Sequence, residues 1–225
     1  MQDLVVIGGG PAGYVAAIRA RQLGMTVTLV EKQDLGGTCL NRGCIPTKAF
    51  FQNAQVLHTL ARLEEYNVKA AGIEFDLQAA GERKQRIVDN IVGGVVSLLK
   101  AYRVNVIAGK AVVADPAAVE VNGETISARH ILIASGSIPA RLLLPGADLP
   151  GVITSDEMLD LQEVPQHLTI IGGGVIGLEF ACIYRAFGSQ VTVLEGMPAL
   201  LNTIDREIVK RMTVFLKKQG IAVHT

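Results

Sequence analysis

Two of the three cysteines of this chain, Cys39 and Cys44, stand with four residues between them inside Gly36-Gly-Thr-Cys-Leu-Asn-Arg-Gly-Cys-Ile-Pro-Thr-Lys48. A disulfide between them closes a very small loop, and cross-link stabilisation in the chain-entropy model grows with loop size, so the pair reads as chemistry rather than as a staple. In a regular helix, positions i and i+5 lie about 8–9 Å apart, beyond the roughly 7 Å that a disulfide spans between Cα atoms. The backbone between the two cysteines must therefore depart from helix, and Gly43 is expected to allow this through a positive φ. Pro46 suits the first turn of a helix becoming regular near Cys44, which sets that sulfur at the positive end of the helix, where a thiolate is favoured. Lys48 follows one turn later and presents a cation. Zinc normally takes four ligands, and no second Cys/His pair is present, so no metal site is expected. The Cys-x-x-Cys of thioredoxin-like sites is absent, and two unrelated thiols are the bland alternative to a redox dithiol of unusual spacing.

Something must hold that segment, and the sequence repeats itself around it at a constant offset of 164 residues. Leu4-Val-Val-Ile-Gly-Gly-Gly-Pro-Ala-Gly13 matches Leu168-Thr-Ile-Ile-Gly-Gly-Gly-Val-Ile-Gly177, and Val27-Thr-Leu-Val-Glu31 matches Val191-Thr-Val-Leu-Glu195. Each copy reads as strand, Gly-x-Gly-x-x-Gly turn, helix and second strand ending in an acid, the dinucleotide-binding fingerprint in its required context. Gly8 and Gly172 suit the tight turn, Gly10 and Gly174 the approach of backbone to a pyrophosphate, and Gly13 and Gly177 close helix–strand packing. Glu31 and Glu195 each lie 18 residues past the third glycine and can accept from ribose hydroxyls. The carboxylate of Glu195, with no Lys or Arg before Arg206, disfavours a 2′-phosphate and so favours NAD over NADP. A sheet binding no nucleotide is the alternative.

Between the copies, 47–65 and 76–102 carry helical apolar spacing, weakened at Gly93-Gly94 by about 1 kcal/mol each. Residues 104–134 turn to short β runs with an Asn122-Gly123 hairpin signal, read as a small meander inserted in the first nucleotide domain. Ile131-Leu-Ile-Ala-Ser-Gly136 is expected to be a buried strand ending in a small-residue turn. Pro139, Pro145 and Pro150 mark a connector, giving domains 1–148 and 149–225. The 225 residues are 49% hydrophobic with 21 basic and 21 acidic side chains, which provides no basic footprint for nucleic acid. No run reaches the length of a membrane span, and a strand starting at residue 3 leaves no room for a signal peptide, so a cytoplasmic protein is expected. Cys182 reads as a buried structural thiol, and the four histidines fall in no metal or base constellation.

The ordered set of two fingerprints, the Gly-Gly-Thr-Cys…Cys-Ile-Pro-Thr-Lys segment and Ala134-Ser-Gly136 resembles the flavoprotein disulfide reductases over essentially the whole chain, most closely the dihydrolipoamide dehydrogenases. Glutathione reductases usually carry Lys-Lys where Thr47-Lys48 stands here, and mercuric reductases rely on further cysteines this chain lacks. The resemblance implies an α/β fold of two Rossmann-like FAD/NAD(P)-binding βαβ units with the inserted meander. It implies FAD against Gly8, Gly10, Pro11, Ala12, Gly13, Glu31, Lys32, Gly37, Thr38, Lys48, Ala134, Ser135 and Gly136. NAD is implied against Gly172, Gly174, Val175, Ile176, Gly177 and Glu195. Catalytic roles are implied for Cys39 as interchange thiol, Cys44 as the thiolate against the flavin, and Lys48 near the flavin N5, paired with Glu179. Otherwise Glu179 reads as an acid complementing its own helix dipole.

The substrate implied is dihydrolipoamide on a lipoyl domain of a multienzyme complex, with electrons passing through the dithiol to flavin and NAD⁺. The full-length family members are homodimers, about twice as long. Their dimerisation domain contributes a His-x-x-x-x-Glu base, yet the residues five beyond the first three histidines here are Leu63, Ser135 and Gly172. The chain is therefore expected to be an N-terminal part, inactive alone, with an incomplete flavin domain and exposed apolar surface. Rival readings are another disulfide reductase, using glutathione, a low-molecular-weight thiol or mercuric ion, and a truncated non-catalytic flavin-binding module.

Overall fold

The computed structural model describes residues 1–140 and 142–225; position 141, in the expected connector, lies outside them. The chain packs as two units, Met1–Pro46 with Gln85–Pro150, and Thr47–Lys84 with Gly151–Thr225. A linear division into 1–148 and 149–225 therefore does not describe the packing, because residues 47–84 share a core with the second unit.

In the first unit, β1 (Gln2–Ile7) leads through Gly8-Gly-Gly10 into α1 (Pro11–Gln22) and back to β2 (Val27–Glu31). Short helix α2 (Gly37–Asn41) and the start of α3 (Cys44–Leu60) follow. After α4 (Leu77–Ala101) come β3 (Asn105–Ala108), β4 (Val112–Asp115), β5 (Ala118–Val121) and β6 (Glu124–Ile133). The six strands form one sheet in the order β3-β2-β1-β6-β5-β4. β1, β2 and β3 pair in parallel, as β1 does with the later half of β6, while β4, β5 and the first half of β6 are antiparallel. Asn122 (φ 52°) and Gly123 (φ 81°) are the two left-handed residues joining Val121 to Glu124, the geometry a two-residue hairpin of this twist requires. The expected meander is present and continuous with the parallel sheet, because one ten-residue strand serves both ladders. One face of β1–β2 buries Val6, Val27 and Leu29 against Ala17, Ala20, Val95 and Leu99 of α1 and α4. Val5, Val30, Val119, Val121 and Ala128 fill a separate cluster. The expected buried strand at 131–133 is instead exposed at its end, Ile133 to 66%. Among the described residues β1 and β5 are the elements that contact β6 extensively.

In the second unit, β7 (His167–Ile171), α6 (Val175–Phe187) and β8 (Gln190–Leu194) repeat the β1–α1–β2 unit, and α7 (Arg206–Lys218) leads to β9 (Ala222–His224). The three strands are parallel, and Leu168 faces Val191 as Leu4 faces Val27. One apolar cluster joins Leu178 and Ala181 of α6 to Val191, Val193, Val209, Leu216 and Ile221. A second places Phe50 and Ala54 of α3, and Leu77 and Ala80 of α4, against Phe180, Ile183, Tyr184 and Phe187. Phe187 meets Phe50, Phe75 and Tyr184 at ring-centroid distances of 6.0, 4.4 and 5.5 Å, each pair worth about 0.5–1.5 kcal/mol beyond its buried area. No helix among the described residues is long and apolar enough to cross a membrane.

Helix α5 (Ser155–Met158) is a single turn, too short to stand on its own hydrogen bonds. Thr154 and Glu157 close its N-terminus as a capping box. At the other end, the buried Tyr184 hydroxyl donates to Met158 O at 2.7 Å and the buried Lys84 Nζ donates to Leu159 O at 2.8 Å. Burial, and then Asp160, push the Tyr184 phenol well above its ordinary range, so it remains a donor. Lys84 also reaches the exposed Asp160 carboxylate at 2.8 Å. Replacing Lys84 by Met keeps the apolar stem but orphans the Leu159 carbonyl, and should destabilise the protein by about 1–3 kcal/mol. Urea denaturation would measure it, and an unchanged midpoint would show that Lys84 holds nothing.

Candidate active site

The two fingerprint turns share the same backbone conformation and hydrogen bonds. Gly8 (φ 108°) and Gly172 (φ 115°) take a backbone conformation only glycine adopts freely. Their amides donate to Val30 O and Leu194 O, both at 2.8 Å. A Cβ at Gly13 would lie 1.8 Å from Gly8 O, and one at Gly177 2.3 Å from Gly172 O, so the third glycine in each copy lets the helix sit on the first glycine's carbonyl. The helix starts at Gly10 and Gly174 carry no side-chain cap, and Pro11, Ala12, Val175 and Ile176 are exposed around them. Each is thus an uncapped, solvent-facing helix N-terminus whose N–H groups suit a phosphate. Gly174 has open space about its Cα, whereas Gly10 lies against Gly37.

The fingerprint leaves the positions of Gly9 and Gly173 free, and nothing in its spacing gives them a role. Yet the Gly9 amide donates to Glu31 Oε2 at 2.6 Å and the Gly173 amide to Glu195 Oε2 at 2.7 Å. The other oxygen of each acid accepts from Gln33 N or Met197 N, both at 2.8 Å. A Cβ at Gly9 would fall 2.7 Å from Leu35 Cδ2, and at Gly173 2.3 Å from Leu200 Cδ2. The sequence does carry a signal, a further glycine repeated at the same offset, but it has a reason only once the carboxylate is seen against it. Both acids are thereby held in fixed orientation with lone pairs left for further donors.

Around the cysteines, Gly36 (φ 95°) and Gly37 (φ 58°) turn the chain in the left-handed region at the start of α2. A Cβ on Gly37 would lie 2.6 Å from Gly10 Cα, so the segment carrying the thiols docks directly on the first fingerprint. The helix stops at Arg42 and α3 begins at Cys44, the break that the spacing required. Its cause differs from the expected one: Gly43 is absent from the positive-φ residues. It is needed for space, because a Cβ there would meet Thr38 O at 3.0 Å and Cys39 Cα at 3.3 Å. Cys39 is half-buried and Cys44 exposed, both as thiols, and Pro46 sits in the first turn of α3.

The remaining expected residues fall as follows. Lys32 and Thr38 are exposed beside Glu31 and Cys39. A Cβ at Gly8 would strike Ala134 O, which sets the Ala134-Ser135-Gly136 turn (Gly136 φ 69°) against the first fingerprint. In the second unit, Lys48 Nζ donates to Glu179 Oε1 as an ion pair. Both side chains are partly exposed, so the pair adds little stability. Cys182 is half-buried rather than enclosed, and burial, then Glu179, push its thiol up. A cavity of about 330 Å³ in the second unit, lined by His167, Thr169, Arg185 and Gln190, contains none of these residues. Among the described residues no cluster of His, Cys, Asp or Glu could hold a metal ion.

The amides of Met197 and Gly173 hold the Glu195 carboxyl below its ordinary range. A carboxyl depressed on folding contributes stability above its unfolded pKa and loses it as pH falls through the folded value. The stability advantage of the wild type over Glu195→Gln should therefore shrink below about pH 4.5 and vanish in stronger acid. A difference that grows on acidification would contradict the two amide bonds.

Known proteins resemble this chain in sequence and in fold. Residues 2–225 match the family model described as pyridine nucleotide-disulphide oxidoreductase. The chain is 42% identical to a dihydrolipoyl dehydrogenase of Bacillus subtilis, over 97% of this chain and 49% of that protein. It is 40% identical to one of Acholeplasma laidlawii, over 99% of this chain and 68% of that protein. Among solved structures, the HOCl-induced flavoprotein disulfide reductase RclA from Escherichia coli superposes with a TM-score of 0.85 at 33% identity, over 99% of this chain and 48% of that one. The chain thus spans about half the length of most of these relatives. FAD and NAD(P) are the cofactors of this group, and the uncapped helix ends, anchored acids and side-chain-free glycine cradles fit two dinucleotides. From its second residue to its last, this chain belongs to the pyridine nucleotide-disulphide oxidoreductases.

Proposed function

We propose that this chain carries the redox dithiol and the nucleotide-binding elements of an NAD-dependent dihydrolipoamide dehydrogenase. The observation that carries the reading is the seating of Gly37 on Gly10, which couples the cysteine segment to the turn suited to the pyrophosphate of FAD. The dihydrolipoyl dehydrogenase relatives support the same substrate.

The residues have these roles. A thiolate of dihydrolipoamide attacks the Cys39 sulfur of the Cys39–Cys44 disulfide, forming a mixed disulfide and releasing the Cys44 sulfur with the bonding pair. The second substrate thiol displaces Cys39, giving lipoamide and a reduced dithiol. FAD held at Gly8, Gly10, Gly13 and Glu31 would supply the acceptor for that electron pair, and NAD⁺ held at Gly172, Gly174, Gly177 and Glu195 the final acceptor, as hydride. Of the two substrate thiol protons, one completes that hydride and the other is released; the base that takes them up from sulfur we assign to a part of the protein beyond this chain, since none of His58, His130 and His167 has a glutamate five residues on. Lys48, held by Glu179, is assigned to the flavin, and Glu31 to its ribose. The natural partner is a lipoyl domain, the full-length protein a homodimer, and the compartment cytoplasmic. A second reading, a disulfide reductase of different substrate, is favoured by the structural likeness to RclA.

Purified protein supplied with FAD should be yellow and develop a long-wavelength absorption band on two-electron reduction that Cys44→Ser lacks. A protein that takes up no FAD and titrates as two independent thiols would overturn the proposal. Dihydrolipoamide, and not glutathione, should reduce the Cys39–Cys44 disulfide rapidly; the reverse order would favour the second reading.

Glu195, locked by two amides, presents fixed negative charge where a 2′-phosphate would sit. NADH should therefore bind more tightly than NADPH, with Glu195→Gln narrowing the ratio. Equal affinities in the parent would refute the NAD assignment.

A further inference from the structure

We infer that Asn41 is the positioning residue of the dithiol, setting how readily Cys39 and Cys44 close into a disulfide; this rests on the redox reading of the pair.

Helix α2 is five residues long and holds Cys39 at its centre. Nucleating a helix costs more than one turn of hydrogen bonds returns, and its N-cap, Gly36, offers no side chain. Its first backbone bond, Leu40 N to Gly36 O, is long at 3.4 Å. The missing support comes from the half-buried Asn41 carboxamide, whose Nδ2 donates to Gly37 O at 2.9 Å and to Leu35 O at 3.0 Å. A carboxamide nitrogen has two protons, one for each carbonyl. The first bond closes the turn around Cys39, and the second ties that turn to the loop arriving from β2. Aspartate would set oxygen against both carbonyls.

The chain contains its own control. In the first copy the loop after β2 is anchored by Gly36 N to Gly9 O at 2.8 Å; in the second, Leu201 N to Gly173 O at 3.0 Å does the same for the loop after β8. That anchor needs no asparagine. What the first copy adds is α2 and its thiol, and the Asn41 bonds serve only these. Gly43 completes the arrangement, since a Cβ there would crowd Thr38 O at 3.0 Å and Cys39 Cα at 3.3 Å, and its absence lets the turn before Cys44 pack close to α2. α2 closed on one side and that close packing on the other limit the freedom of two thiols five positions apart in the chain, and confinement of reactants raises their effective concentration.

The test is the thiol–disulfide equilibrium with glutathione, on the chain with Cys182→Ser so that only the pair reports. Oxidised glutathione loses its S–S bond and gains two electrons and the two thiol protons, giving two glutathione thiols, as the Cys39 Sγ–Cys44 Sγ bond forms. Asn41→Leu, which keeps the volume and removes both donors, should lower the effective concentration of the pair about tenfold, a potential about 30 mV less reducing for a two-electron couple. Far-UV circular dichroism should stay at the parent level. Asn41→Ala, without bulk, should move the same way if the leucine variant folds poorly. Asn41→Gln, which keeps both donors, should fall between. Equal midpoints in the parent and in a folded Leu or Ala variant overturn the role of Asn41 alone. A parent that forms only mixed disulfides with glutathione overturns the redox reading and this inference together.

Discussion

A carbonyl oxygen with no side chain in its way underlies this structure. Gly8 O and Gly172 O each occupy the space where the third fingerprint glycine would carry a Cβ. That contact fixes where the helix begins relative to the strand. From it follow the direction of the uncapped helix end, the height of the middle glycine, and the distance at which that glycine's amide meets the acid closing the second strand. Alanine at Gly13 or Gly177 would push the helix off and move all of these at once, so the geometry behaves as one coupled object. The two copies, 164 residues apart, agree in these hydrogen bonds to within a few tenths of an ångström because the same contact generates them.

What the first copy adds is built on the same object. Gly37 rests on Gly10, and Gly36 N binds the carbonyl of Gly9. The cysteine segment is therefore an extension of the nucleotide turn. A chemistry that must hand electrons from sulfur to a bound ring needs the two held together, and backbone contacts between glycines do this with little freedom left. Left-handed φ values at Gly36 and Gly37 reverse the chain within two residues, so α2 starts where it touches Gly10.

The parts of this that could be read in the sequence are those with a fixed period. The repeat, the strand–turn–helix contexts, the Asn122-Gly123 hairpin and the need for a break between Cys39 and Cys44 depend on local spacing, and the structure has each of them. The misjudged features depend on what arrives from elsewhere in the chain. Gly43 looks like a φ residue until Thr38 O and Cys39 Cα are seen beside it. Residues 131–133 look buried because all three are apolar aliphatics, yet burial belongs to whatever covers a strand. Residues 47–84 sit between two halves of the first unit in sequence, but Phe50, Ala54, Leu77 and Ala80 find their aromatic partners on α6. No pattern of spacing in 47–84 reveals that choice, which is made by the shapes of Phe180, Tyr184 and Phe187.

The same distinction explains why Gly9, Gly173 and Asn41 do not stand out in the sequence. A fingerprint records the positions where a nucleotide needs glycine, and it is silent where the protein needs one for itself. Gly9 and Gly173 lack a Cβ so that an acid and a leucine can close over them. Those acids are then oriented in advance, and what is pre-oriented costs less order on binding. Asn41 is the equivalent in the dithiol: its carboxamide binds the carbonyls of Gly37 and Leu35, and through them holds the turn that carries Cys39. Sites of this kind are specified twice, by residues that meet the ligand and by residues that keep those from moving, and the second set carries no signature that a ligand would impose.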